Sequence, residues 1–93
     1  MSDETLLSRT VTICNKRGLH ARASAKFVTL ATGLNATITV SKDGHDVVGT
    51  SIMGLMMLGA AMGDTIRISA SGDDAESALA ACAQLVEDKF GED

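Results

Sequence analysis

The residues best placed to do chemistry are Gly18-Leu19-His20-Ala21-Arg22-Ala23-Ser24-Ala25. A turn glycine comes first, then a histidine, then small helix-favouring residues with an arginine two places on. A helix starting at Ala21 has His20 at its N-cap, where the first backbone N–H groups lack intrahelical partners. Those donors and the positive end of the helix dipole form a ready anion site. Arg22, in the first turn, adds a guanidinium able to make forked hydrogen bonds to a phosphate. The same positive field disfavours imidazolium, so a neutral His20 ring keeps a lone pair free to attack. Phosphoryl transfer on histidine is the chemistry these types and spacings allow. They fit a plain capping histidine as well, and the residues alone leave both readings open.

A second candidate is Ser51, which precedes Ile52-Met53-Gly54-Leu55-Met56-Met57-Leu58. A serine ahead of a periodic apolar run is an N-cap signature. In a short helix here Leu55 and Leu58 can face the core, with Ile52, Met53 and Met56 left exposed as an adaptable docking surface. The pattern is equally satisfied if the whole run is buried. His45, beside an Asp43-Gly44 turn, has no neighbouring cap or cluster and is expected to be exposed and non-catalytic. Cys14 and Cys82 form no CxxC pair, so neither a zinc site nor a redox motif is implied. They read as small buried hydrophobes of a reduced compartment, with a disulfide between them left open.

The elements needed to position these residues follow from periodicity. Arg9–Asn15 alternates as a strand, with Val11 and Ile13 on one face and Cys14 opposite. Ala21–Thr32 carries Ala23, Phe27, Leu30 and Ala31 at helical spacing, with Gly33 as the C′ residue and Lys26 one turn from Arg22. Asn35–Ser41 and His45–Val48 form a hairpin around Asp43-Gly44. Asp64–Ser71 alternates as a fourth strand, and Gly72-Asp73-Asp74 opens a last helix. Its stripe is Ala75, Ala78, Leu79, Cys82, Leu85 and Val86, and Gly91-Glu92-Asp93 is expected to fray. The order βαββαβα, with one apolar stripe per helix, predicts an α+β two-layer domain with the helices on one face of an antiparallel sheet.

Composition bounds the rest. The 93 residues read as one domain, 1–93, with a structured core from about 8 to 90. With 45% hydrophobic and 22% charged residues the chain is globular rather than disordered. The only aromatics are Phe27 and Phe90, so the core is aliphatic, with five methionines as filler. Residues 1–5 are acidic and lack the apolar run of a secretory signal, and nothing reaches the roughly 18 apolar residues of a membrane span. The net charge of −4 hides an asymmetry. Residues 5–42 hold Arg9, Lys16, Arg17, Arg22, Lys26 and Lys42 and no acid, whereas residues 64–93 hold eight acids. A basic half around His20 suits a small anion or an acidic protein partner. Nucleic acid is disfavoured by the acidic total and by the lack of aromatic stacking platforms.

Gly18-Leu19-His20-Ala21-Arg22, followed about thirty residues later by Ser51-Ile52-Met53-Gly54-Leu55-Met56-Met57-Leu58-Gly59, resembles HPr, the histidine-containing phosphocarrier of the bacterial phosphotransferase system. The likeness runs from about Ser8 to Phe90. It implies an open-faced β-sandwich of four antiparallel strands ordered 1-4-2-3 under three helices. It implies His20 as the residue phosphorylated at Nδ1, Arg22 as its phosphate-stabilising neighbour, and Ser51 as the target of a serine kinase/phosphorylase. Ile52, Met53 and Met56, with Arg17 and Lys26, are then the docking positions. The implied partners are the phosphoenolpyruvate-dependent Enzyme I and EIIA-type acceptors. The resemblance further implies a carrier rather than a stand-alone enzyme, with no metal or organic cofactor; a cytoplasmic location follows from the reading of the cysteines, and a monomer is the expected oligomeric state, which the sequence leaves open. Ala23 stands where the family often has proline, and Thr29 and Leu30 stand where many relatives are basic, which bears on partner choice. The ending Phe90-Gly91-Glu92-Asp93, with Ala21 after the histidine, is similar to the nitrogen-type regulatory branch rather than the sugar-uptake one. A regulatory protein-binding module is the alternative function.

Overall fold

The computed structural model of the chain describes residues 6–92; the acidic residues 1–5 and Asp93 lie outside them. The elements run β1 (Leu6–Thr12), α1 (Ala21–Thr32), β2 (Thr37–Lys42), β3 (His45–Val48), α2 (Ile52–Met57), β4 (Thr65–Ser71) and α3 (Ala75–Glu87). The four strands are all antiparallel and are ordered β1-β4-β2-β3. Both the order of elements and the order of strands match the sequence expectation.

The register explains why one face of the sheet is apolar. Val11 lies opposite Ile66 across the β1–β4 pair. Ile38 lies opposite Ala70, and Val40 opposite Ile68, across β2–β4. All six are buried. Period-2 alternation puts Ser8, Thr10, Ser69 and Arg67 on the reverse face, where Ser8 Oγ and Ser69 Oγ are 3.1 Å apart. The apolar face is covered by α3, which packs on β1 and β4, and by α1 and α2, which pack on each other, with α2 reaching β3. Phe27 of α1 and Phe90 beyond α3 fill the space between the layers, both essentially inaccessible. Burial contributes about 25 cal/mol per Å² of apolar surface, so the two buried phenyl rings help hold the layers together.

Four local details differ from the sequence reading. Strand β1 starts and ends three residues earlier than Arg9–Asn15, because Ile13 continues the pairing outside the ladder, donating N–H to Asp64 O at 2.8 Å. Cys14 therefore sits past the strand, half-buried, its Sγ 3.5 Å from the Val86 carbonyl of α3, while Cys82 is fully buried. Both thiols are free. Gly33 is the C-cap of α1 itself at φ −84°, a right-handed conformation that needs no glycine. On α3, Ala83 joins the buried stripe and Leu85 is only partly covered.

Candidate functional site

The loop ahead of α1 is held by its own side chains. Asn15 is fully buried, and its Nδ2 donates to the Gly18 carbonyl at 2.8 Å while Gly18 N–H donates back to Asn15 O at 3.2 Å. Gly18 sits at φ +65°, the left-handed region that favours glycine. Its neighbour Leu19 donates N–H to Ala60 O at 2.9 Å, which ties the loop to the connection between α2 and β4. His20 follows in an extended conformation (φ −75°, ψ 178°) as the N-cap of α1. Its Nδ1 accepts the Arg22 backbone N–H at 3.2 Å, and its carbonyl accepts Ser24 N–H at 2.9 Å. The ring is thus its own helix cap, as the spacing predicts, with Nδ1 at the positive end of a 12-residue helix. Arg22 contacts the ring through its backbone, and its side chain is exposed.

The opposite ring nitrogen faces a group that the sequence reading left in a fraying tail. His20 Nε2 is hydrogen-bonded to Glu92 Oε2, while Glu92 Oε1 accepts from Asn15 Nδ2 at 3.0 Å. The His20 side chain is only 16% exposed and that of Glu92 20%. The Asn15 amide holds the Glu92 carboxyl below its usual range, with the His20 ring and Arg17 adding to the effect and partial burial opposing it. Fraying is prevented by a left-handed turn. Lys89, Phe90 and Gly91 have φ of +58°, +53° and +75°, Phe90 is buried, and Lys26 Nζ donates to Phe90 O at 2.8 Å. Lys26, expected as a docking residue, has its ammonium engaged within the chain. The basic half around His20 therefore contains an acid that comes from far along the sequence. The only legible signal for it was Phe90, an aromatic that had to be buried somewhere.

Ser51 is the N-cap of α2, its Oγ accepting Gly54 N–H at 3.0 Å. Leu55 and Leu58 are buried, and Ile52, Met53 and Met56 are exposed. Met57 (78%) and Met62 (57%) are exposed as well, beyond the positions singled out from the sequence. Arg17 is exposed near Glu92, and His45 is exposed at its turn. Burial pushes the Cys82 thiol up to about 11. Among the described residues no group of three His, Cys, Asp or Glu side chains could hold a metal ion, and no helix is long and apolar enough to cross a membrane.

A histidine whose Nδ1 accepts a hydrogen bond at a helix N-terminus, on a four-stranded antiparallel sheet covered on one face by three helices, defines the class: an open-faced α+β domain with an imidazole at an anion-favouring helix end. Residues 7–88 match the family model described as the phosphorylation site of the HPr component of the phosphotransferase system. The chain is 47% identical over 88 residues to the phosphocarrier protein NPr of Shewanella violacea, covering 95% of this chain and 97% of that one. It is 44% identical over 87 residues to the phosphocarrier protein HPr of Cupriavidus necator, covering 94% and 98%. The crystal structure of HPr-C-His from Thermoanaerobacter tengcongensis superposes with a TM-score of 0.89 at 46% identity, over 94% of this chain and 98% of that one. The chain belongs to the HPr family, and its function is phosphoryl relay in the phosphotransferase system.

Proposed function

We propose that the relay runs through His20 Nδ1, loaded by Enzyme I and discharged to an EIIA-type acceptor. One observation carries this reading: Nδ1 accepts the Arg22 N–H at the start of α1. An atom that accepts a hydrogen bond there is unprotonated, so its lone pair can attack once the Arg22 N–H is released, and a phosphoryl group attached to it meets backbone donors at the helix start. Nδ1 attacks phosphorus in line, the N–P bond forms, and the donor's bond to phosphorus breaks with its electron pair staying on the donor. Arg22 N–H then turns from the ring nitrogen to a phosphoryl oxygen, and the exposed guanidinium is free to add further hydrogen bonds. The His20 side chain keeps a 16% exposed edge, through which the load can be handed on rather than trapped.

The apolar surface of Ile52, Met53 and Met56, with Met57 and Met62, serves as the docking face, and the exposed Arg17, in the loop that delivers His20, supplies positive charge. Ser51 is the candidate for serine phosphorylation. Its modification would replace the Gly54 cap and set about two negative charges among these apolar side chains. The protein acts in the cytoplasm as a single-domain monomer without nucleic acid or membrane. Intact mass after incubation with phosphoenolpyruvate and Enzyme I tests the assignment. One acid-labile phosphoryl group, absent from His20→Ala, is the expected result. No gain, or a gain that survives in His20→Ala, overturns it.

A further inference from the structure

His20 has two ring nitrogens, and relay uses one of them. What decides which is available is the environment of the other. We infer that Glu92 is a positioning residue that holds His20 as the Nε2–H tautomer and fixes the ring so that Nδ1 faces the incoming phosphoryl group.

Two independent contacts specify the same proton position. Arg22 N–H donates to Nδ1, so Nδ1 carries no proton. The proton of a neutral ring is then on Nε2, where Glu92 Oε2 is the acceptor. A carboxylate behind an imidazole also stabilises the positive ring that forms when Nδ1 is phosphorylated while Nε2 keeps its proton. A carboxylate plays that orienting part toward the histidine of hydrolytic triads.

The carboxylate is itself fixed. Glu92 Oε1 takes a hydrogen bond from Asn15 Nδ2, whose second proton goes to Gly18 O. The Asn15 amide is fully buried and uses both donors in this way, while its Oδ1 is buried without a partner among the described residues. That orientation costs an unpaired acceptor, and it is kept in favour of the bond to Glu92. The backbone bears a cost too, because Lys89 and Phe90 are non-glycine residues at positive φ, a conformation that L side chains rarely adopt. Phe90 burial and the Lys26 hydrogen bond to its carbonyl offset that strain. Glu92 lies beyond residues 7–88, the stretch that the family model matches.

The inference rests on His20 being the residue that carries the phosphoryl group, and the experiment separates the two. Wild type, Glu92→Gln and Glu92→Ala are compared by NMR of the His20 ring and by initial rates of phosphorylation with phosphoenolpyruvate and Enzyme I. In wild type a slowly exchanging, downfield Nε2–H proton is expected. It weakens in Glu92→Gln, which keeps an acceptor but loses the charge, and disappears into solvent exchange in Glu92→Ala. With docking residues intact, kcat falls about tenfold in Glu92→Ala and KM stays within about twofold, the signature of a misplaced nucleophile. An unchanged Nε2–H signal, or wild-type kcat in Glu92→Ala, overturns the role given to Glu92 while leaving the carrier reading standing. A kcat that rises makes the segment a cover over the ring and overturns it equally. Failure of wild type to gain a phosphoryl group on His20 at all is the separate failure of the carrier reading.

Discussion

Replacing Gly18 by alanine isolates the device that delivers His20. At φ +65° an L-residue carries about 1 kcal/mol of backbone strain. The new Cβ would also run into the Ala60 carbonyl oxygen and lie 2.9 Å from Ala61 Cα, both backbone atoms. Relief requires the loop to back away, which breaks the 2.9 Å hydrogen bond from Leu19 N–H to Ala60 O, worth about 1 kcal/mol. The total is about 2–3 kcal/mol. For 93 residues the entropy of unfolding is about 0.2 kcal/mol/K, so Tm falls by about 10–15 °C. Gly44→Ala is the control. Its φ is +83°, but nothing lies within 4 Å of the added Cβ, so it carries strain alone and loses about 5 °C. With neither Trp nor Tyr in the chain, far-UV circular dichroism is the assay of choice. If Gly18→Ala melts within about 2 °C of Gly44→Ala, the loop is not braced against Ala60 and the account of how His20 is presented is wrong.

Other outcomes follow from the same geometry. Ser51→Ala removes the cap on Gly54 N–H and costs about 1 kcal/mol, so Tm drops by about 5 °C, and no drop would mean the cap contributes nothing. Under native conditions iodoacetamide labels the half-buried Cys14, whereas Cys82, buried and with its thiol raised to about 11, reacts only on unfolding; peptide mapping that found Cys82 labelled first would contradict the packing of α3. The Glu92 carboxyl is depressed in the fold, so its contacts contribute fully above its ordinary value of 4.5 and are lost as pH falls through the lower folded value. Acid denaturation curves of wild type and Glu92→Gln should therefore converge at low pH and separate above it, and parallel curves would deny Glu92 any stabilising contact. Phe90→Ala empties a core site and costs about 3–5 kcal/mol, with a matching shift in the urea midpoint.

Which parts of this molecule were legible in sequence follows from how local each signal is. His20 as N-cap, Ser51 as N-cap and the βαββαβα order all rest on residues within a turn or a strand of one another, and each is found where the pattern places it. The strand order 1-4-2-3 came from family likeness, since alternation says which face is apolar but not which neighbour pairs. Exposure of Ile52, Met53 and Met56 could not be decided from spacing, because a six-residue helix offers too few turns to define a stripe. Glu92 was missed for a different reason. Its partners, Asn15 and His20, are more than seventy residues away, and its approach depends on positive φ at Lys89 and Phe90, residue types that carry no such signal.

The sheet order also dictates when the domain can form. Strands β1 and β2 never touch; each waits for β4, which pairs Leu6 with Ser71 on one side and Thr37 with Ser71 on the other. Closing the β1–β4 ladder brings together residues from 53 (Thr12 with Thr65) to 65 (Leu6 with Ser71) apart, so loop entropy is lost before the first of these pairs forms. Until then the β2–β3 hairpin and β1 each present an apolar face and an open edge, with Val11, Ile38 and Val40 uncovered. The last-made strand is thus the keystone of assembly. A nascent chain truncated before Thr65 is an aggregation hazard rather than a partly working carrier.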